Sequence, residues 1–531
     1  MLDSAHLGDI EGAFGRIKVG DTEHSRTFKT RMLTLLAIVG PGLIVMVGDN
    51  DAGGVATYAQ AGQNYGYSLL WVLLLLIPVL IVNQEMVVRL GAVTGVGHAR
   101  LINERFGRGW GWFSVGDLFI LNFLTIVTEF IGVSLAAGYF GVSKYIVVPI
   151  AAVALVAIMA SGSFRRWERA MFIFIAFSVL QIPMLLLSHP DWGRAAKDFV
   201  VPGVSGGITS DAVLLIIAIV GTTVAPWQLF FQQSNVVDKR ITPRFIGYER
   251  ADTTIGAFVV VIGATAIVMT ADFGARATGS VGKFVDAGDI ARVLGDAHHA
   301  LGSIFAIVLL DASIIGAAAV TLATSYAFGD VFGIKHSLHR GFRDAKQFYL
   351  SYIAMVIVAA AIVLIPGAPL GLITTAVQAL AGLLLPSASV FLLLLCNDPQ
   401  VLGPWVNKTW LNVVAGFIVG VLLLLSGILM ATTLFPNLNV ISTAEYLAVA
   451  LVVLAIITVG VLKFLQRRAP APPAAPKFDM AERDSWRMPP LALLEPVTWS
   501  SGTKLGMLAL RGYLVVGAVL LVVKAVQLGR G

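Results

Sequence analysis

Charge is scarce in this chain: 13% of its 531 residues are Asp, Glu, Lys or Arg, about half the share typical of a soluble domain. Cysteine is nearly absent. Cys396 stands alone, which excludes an internal disulfide and a thiolate metal cluster. The eight histidines, His6, His24, His98, His189, His298, His299, His336 and His339, all fall in expected loops or at the ends of apolar stretches. No buried imidazole relay is therefore expected. No phosphate-binding loop, zinc motif or nucleophile elbow occurs in a fitting context, which argues against an ATP-driven pump or a membrane enzyme. The first thirty residues are polar and the first apolar run is full length, so no cleavable signal peptide is expected.

What is abundant is apolar sequence, at 57% of residues and a mean hydropathy of +0.84. Apolar stretches recur near residues 33–66, 68–93, 113–140, 144–162, 169–188, 211–234, 253–271, 300–328, 347–366, 369–396, 409–435 and 441–463. Each is near or above the roughly 20 residues a membrane-spanning helix needs, and together they predict twelve spans in an all-α polytopic membrane protein. A further run, Gly512 to Gln527, is short and carries Lys524, and fits either a marginal span or an interfacial helix.

Loop charge sets an orientation. Arg100, Arg105 and Arg108 follow span 2; Arg165, Arg166 and Arg169 follow span 4. Lys239, Arg240, Arg244 and Arg250 follow span 6, and Lys335, Arg340, Arg343 and Lys346 follow span 8. Even-numbered spans are thus expected to end in the cytoplasm, with both terminal segments on that side of a cell membrane. The net charge of +6 follows from this bias and implies no nucleic-acid partner.

Two of the spans are interrupted. GDNDAGG sets Asp49, Asn50 and Asp51 beside two glycines in span 1, and GTTVAPWQ begins at Gly221 in span 6. Carboxylates are costly at bilayer depth, and irregular backbone there is tolerated only where it lines a cavity. Two broken helices five segments apart predict a cation site at the midplane between two inverted five-helix repeats. The resulting division is an arm over 1–32, repeats over 33–188 and 189–396, additional helices 11 and 12 over 397–468, and a tail over 469–531. In that tail APAPPAAPKFDMAERDSWRMPP reads as an extended linker that buries no core.

GPGLIVMVGDNDAGGVATYAQAGQNYGYSLLW resembles the first helix of the NRAMP divalent-metal transporters, and GTTVAPWQLFFQQS resembles their sixth. Similar segments are TEFIGVSLAAG, AAAVTLATSYAFG and AVQALAGLLLP, so the likeness covers most of residues 33–396. The resemblance implies a LeuT-type fold and divalent-cation transport. On the family's Asp-Pro-Gly-Asn motif Asp51 takes the aspartate, and Gly54 the asparagine, whose oxygen is lost. Ala225 stands where the family has its methionine. A site without the soft thioether, left with Asp51, backbone carbonyls and water, is chemically hard and suits a largely hydrated Mg2+. By this pattern the chain resembles the NRAMP-related magnesium transporters more closely than the transition-metal carriers of the family.

The expected ion site comprises Asp51, Asn50, Asp49, Gly54, Thr222, Ala225 and Gln378. A helix-capping role for Asp51 and a packing role for Ala225 are the competing structural readings. Where the family places proton-handling groups, the resemblance sets Trp227, Gln232 and Ile126 in this chain. Glu129 remains in span 3 as the candidate gate or proton acceptor. The expectation is uniport of Mg2+, with Mn2+ also accepted, by alternating access. Proton-coupled Mn2+ or Fe2+ symport and sodium-coupled amino-acid symport are the alternatives. No cofactor, no enzymatic activity and no obligate protein partner are expected beyond the cation and the lipid bilayer. Among other polar residues, Glu85 and Arg89 form an i, i+4 pair that neutralises itself, while Asp117 and Asp311 have no obvious local partner.

Overall fold

The computed structural model describes residues 4–21, 27–367, 370–435, 437–468, 478–495 and scattered positions from 497 to 519; several side chains near 371–385 and 458–468 fall outside that set. The chain opens with an antiparallel hairpin, β1 (Ile10–Gly12) and β2 (Gly15–Ile17), and its regular structure is otherwise helical among the described residues.

The first apolar stretch holds three helices rather than one broken rod. α1 (Phe28–Ile38) turns by 53° into α2 (Pro41–Val47), and four residues later α3 (Ala52–Tyr65) begins. The unforeseen bend lies at Gly40–Pro41, because proline lacks an N–H and pushes the preceding residue out of helical conformation. α1 leaves Phe28, Met32, Leu33 and Leu36 exposed. α4 (Leu70–Thr94), α5 (His98–Phe106), α6 (Arg108–Tyr139), α7 (Lys144–Met159), α8 (Phe164–Ser178) and α9 (Gln181–Leu187) complete the first group.

After α10 (Trp192–Val200), the second group starts with another broken rod, α11 (Ser210–Thr223) and α12 (Pro226–Asp238). It continues through α13 (Ile246–Thr278), α14 (Ala287–Ala297), α15 (His299–Phe332), α16 (Lys346–Leu364) and α17 (Leu370–Cys396). α18 (Pro399–Leu402), α19 (Thr409–Leu434) and α20 (Val440–Arg468) follow. Each of the twelve expected stretches contains helix. Among the described residues nine helices are long and apolar enough to cross a membrane, or up to ten if the bent α1–α2 pair is one span. α7, at 16 residues, falls below that length.

The two groups pack as counterparts. α3 lies on α13 as α12 lies on α4, and α6 runs against α15. This is the LeuT-type arrangement, in which each broken helix rests on the other group's second helix.

The terminal segments dock on one face. Ala13 in the hairpin donates its N–H to Glu168 at 2.5 Å, and Arg169 donates to the Ala13 carbonyl at 3.0 Å. The tail does not behave as the expected free linker over its described part. Arg483 stacks 3.7 Å over the Trp405 ring, the Met488 N–H reaches the Val93 carbonyl at 3.3 Å, and Arg105 bonds the Glu495 carbonyl at 2.6 Å. Trp and Met supply anchoring surface that composition averages conceal. Residues 469–477 and 521–527 lie outside the described set.

Beneath the hairpin, Lys239 and Glu168 form an ion pair at 2.6 Å with both side chains fully buried. Lys239 also donates to the Ile38 and Val39 carbonyls at 2.6 and 2.9 Å. Asp252 on α13 accepts the Gly40, Gly42 and Leu43 N–H groups at 3.0, 2.7 and 3.2 Å, satisfying donors at the start of α2. Removing one partner of such a pair strands the other in low dielectric, at a cost of about 3–5 kcal/mol. Lys239→Met is therefore expected to lower the thermal midpoint of the detergent-solubilised protein sharply, and Glu168→Gln in the same chain to restore much of it. Equal midpoints for wild type and Lys239→Met would contradict this account.

Candidate metal-ion site

The break in the first rod begins where α2 ends at Gly48. Asp49 and Asn50 close short turns onto the Met46 and Val47 carbonyls at 3.3 and 3.2 Å, and Asp51 then takes an extended conformation. Its side chain accepts the Gly54 N–H at 2.7 Å, capping α3. The second break runs through Val224 and Ala225, and Pro226 opens α12, where its missing N–H costs nothing.

Three further helices close on these breaks. Glu129 of α6 accepts the Ala52 N–H at 3.1 Å, tying α6 to the start of α3. Gly316 of α15 permits that approach: a Cβ there would lie 2.7 Å from Glu129 Cδ and 2.9 Å from Asp51 Cβ. Across the break, Gln228 Nε2 of α12 donates to Asp49 Oδ1 and to the Thr223 carbonyl at 3.1 Å. Gln228 Oε1 accepts from Gln84 of α4 at 3.0 Å, and the Tyr58 hydroxyl bonds the Thr223 hydroxyl at 2.7 Å.

The structure thus brings Asp49, Asp51 and Glu129 into one buried region where the first broken rod meets α6 and α15, while Thr222 is buried in the last turn of α11, beside the second break. Exposure falls to 1% at Asp49, 4% at Asp51 and 0% at Glu129, so water contributes little to satisfying them. Asp49 Oδ2, Glu129 Oε1 and Thr222 Oγ1 have no hydrogen-bond partner among the described residues. Buried acceptors in that state are costly unless a donor or cation reaches them. A cavity of about 20 Å3 beside Ala52, Thr128 and Gly132 offers room on the order of one water.

Other expected residues are placed differently. Asn50 donates its amide N–H to the Val260 carbonyl of α13 at 3.2 Å, while its Oδ1 is buried without a hydrogen-bond partner among the described residues. Gly54 serves the backbone: a Cβ there would stand 2.9 Å from the Asp49 carbonyl oxygen, so the missing asparagine is also a steric requirement. Ala225 is buried and brings no side-chain ligand, while Trp227 packs against Phe231 with ring centroids 5.9 Å apart. Gln232 donates to Thr253 at 2.9 Å and Ile126 is buried. Gln378 belongs to α17, and its side chain lies outside the described residues.

Asp117 and Asp311 do find partners, Ser387 at 3.2 Å and Ser178 at 2.9 Å, each on a neighbouring helix. Arg89 bonds Glu85 at 3.1 Å as expected, and also the Trp405 carbonyl and Asn407 at 2.6 Å. Two histidines, His98 and His336, are buried, against expectation. His98, at the start of α5, is fully buried and bonds Gln233 at 2.8 Å; burial pushes its pKa down to about 4, so it stays neutral at pH 7.

Gln228, Gln84 and Tyr58 do not stand out in the sequence. Gln228 directly follows Trp227, and Gln84 lies between Asn83 and Glu85, so the available signal is an amide in an otherwise apolar span. Among the described residues no group of three or more His, Cys, Asp and Glu side chains is arranged to hold a metal. Any ion in this region would share carboxylates with carbonyls, hydroxyls and water.

The family model described as natural resistance-associated macrophage protein-like, Nramp, matches residues 42–432. The divalent metal cation transporter MntH of Burkholderia ambifaria is 28% identical over 405 residues, covering 73% of this chain and 87% of that protein. MntH of Klebsiella pneumoniae is 25% identical, over 75% of this chain and 95% of its own. The crystal structure of the Eremococcus coleocola manganese transporter, in complex with an aromatic bis-isothiourea compound, superposes with a TM-score of 0.62. The sequences are 21% identical over 83% of this chain and 98% of that one, and the likeness is one of fold.

The cap on α3 gives a test that involves no ion. Asp51→Asn keeps an oxygen for the Gly54 N–H, whereas Asp51→Ala loses it at about 0.5–2 kcal/mol. In metal-free buffer the alanine variant is expected to melt below the asparagine variant. Indistinguishable melting would remove the capping role.

Proposed function

Because this chain belongs to the Nramp family, we propose that it carries a divalent metal cation across the membrane, with Mg2+ as its preferred substrate and Mn2+ also accepted. The observation that supports this best is the set of buried oxygens without partners among the described residues, Asp49 Oδ2, Glu129 Oε1 and Thr222 Oγ1, near the two helix breaks. Oxygen donors without sulfur or imidazole favour a hard cation. Ala225 supplies no thioether, and Trp227 follows one residue beyond Pro226. Mg2+ gives up its water reluctantly and is commonly held through one or two carboxylates. Asp51 and Asp49 supply those charges, with Thr222 and backbone carbonyls completing the shell.

Transport proceeds by alternating access, as α2–α3 and α11–α12 change their angle to the scaffold around the site. The positively charged loops face the cytoplasm, so the membrane potential draws the ion inward. That drive is about 2.3 kcal/mol per elementary charge per 100 mV, doubled for a divalent ion. No proton accompanies it. A second reading, proton-coupled Mn2+ symport, draws on Glu129, whose Oε1 has no partner among the described residues and whose Oε2 holds the start of α3.

Liposomes containing the protein, a magnesium indicator and a pH indicator separate the two. Magnesium entry without acidification is expected; acidification that scales with metal entry would establish symport instead. Ala225→Met is expected to raise Mn2+ and Cd2+ transport relative to Mg2+ in the same vesicles. Unaltered selectivity would remove the argument from ligand softness. Gly54→Asn is unsuitable for this purpose, since its Cβ would press on the Asp49 carbonyl.

A further inference from the structure

We propose that Gln228 and Gln84 are positioning residues that present Asp49 to the transported cation as the second carboxylate of the site. The inference rests on the transport reading above and assigns to α12 and α4 a part that the helix breaks alone do not reveal.

The two oxygens of Asp49 are treated differently. Oδ1 receives Gln228 Nε2, while Oδ2 has no partner among the described residues, although the side chain is only 1% exposed. A carboxylate held on one oxygen and bare on the other is set up to bind through the bare one, as the hydrogen-bonded ligands of metal sites do.

Gln228 has little freedom to turn. A primary amide carries two N–H donors and one carbonyl oxygen. Here Nε2 serves Asp49 and the Thr223 carbonyl at 3.1 Å, and Oε1 accepts from Gln84 at 3.0 Å. Turning the amide over would break all three bonds and set its oxygen against the Asp49 carboxylate. Both glutamines are completely buried, so water does not substitute for these partners.

The network also ties ion affinity to conformation. Thr223 is the last residue of α11 and Gln228 lies in the first turn of α12, so one amide bridges the second break and reaches into the first. When α11 and α12 change their mutual angle, Gln228 keeps either Thr223 or Asp49, and the carboxylate loses its fixed direction. Release of the cation accompanies that loss.

Calorimetric titration of the purified full-length protein with Mg2+, and separately with Mn2+, tests the assignment. Hydrogen-bonding partners of metal ligands typically contribute about 10–100-fold in affinity. Gln228→Ala is expected to weaken binding within that range, and Gln84→Leu to weaken it less. The decisive variant moves the charge: Asp49→Asn with Gln228→Glu keeps one carboxylate in the pair but carries it on α12. It is expected to bind at least about tenfold more tightly than Asp49→Asn alone, an outcome that a purely structural glutamine would not give. Wild-type affinity in Gln228→Ala, or no rescue in the double variant at matched thermal midpoints, would overturn the assignment. Failure of the magnesium reading is distinct: wild type then binds Mn2+ alone, and the same comparisons are read in the Mn2+ arm.

Discussion

Every N–H and carbonyl released where a helix comes apart inside a bilayer must find its partner within the protein, because lipid offers none. That constraint organises the centre of this molecule. The Gly54 N–H is met by Asp51, the Ala52 N–H by Glu129 and the Thr223 carbonyl by Gln228. The groups that mend the breaks are thus carboxylates and an amide drawn from two helices, α6 and α12, and the break itself. Mending alone leaves oxygens over, and those leftovers are what the proposed cation would satisfy.

Burial makes this arrangement consequential. The carboxylates of Asp49, Asp51 and Glu129 lie together where exposure is nearly nil, and among the described residues no Lys or Arg is bonded to any of them. Their mutual repulsion is relieved by a divalent ion or by protons. Charge is handled in the opposite way at the hairpin face. There Glu168 meets Lys239 directly, and Asp252 is surrounded by N–H donors. At the hairpin face a lysine and backbone donors hold Glu168 and Asp252 and fix α2, although Glu249 beside them keeps both oxygens without a hydrogen-bond partner among the described residues; at the helix breaks no cation of the protein is bonded to the acids.

Several of these features are legible in the sequence because they obey local rules. GDNDAGG announces a break, since glycine and carboxylate together work against a continuous helix inside an apolar run, and the Ala225–Pro226 pair announces its counterpart. The Glu85–Arg89 pair follows from helical spacing, as observed at 3.1 Å. The Gly40–Pro41 bend is equally local, yet hydropathy hides it because the apolar run continues through it. Gln228 and Gln84 are not legible. They lie 144 positions apart, and an amide in a span reads as neutral until its neighbour across the interface is known.

The sequence by itself determined the membrane class, the approximate limits of the helical stretches, and the two places where helices break, because hydropathy, proline and glycine act over short distances. Tertiary structure decided which acids meet. It tied the Asn50 amide N–H to α13, made Gly54 a steric necessity, and gave Asp49 one occupied and one bare oxygen. It also docked residues 478–495, which composition alone assigned to a free linker. The physical reason is that direction, unlike hydrophobicity, belongs to pairs of groups, and the packing of α4, α6, α12 and α15 sets those pairs.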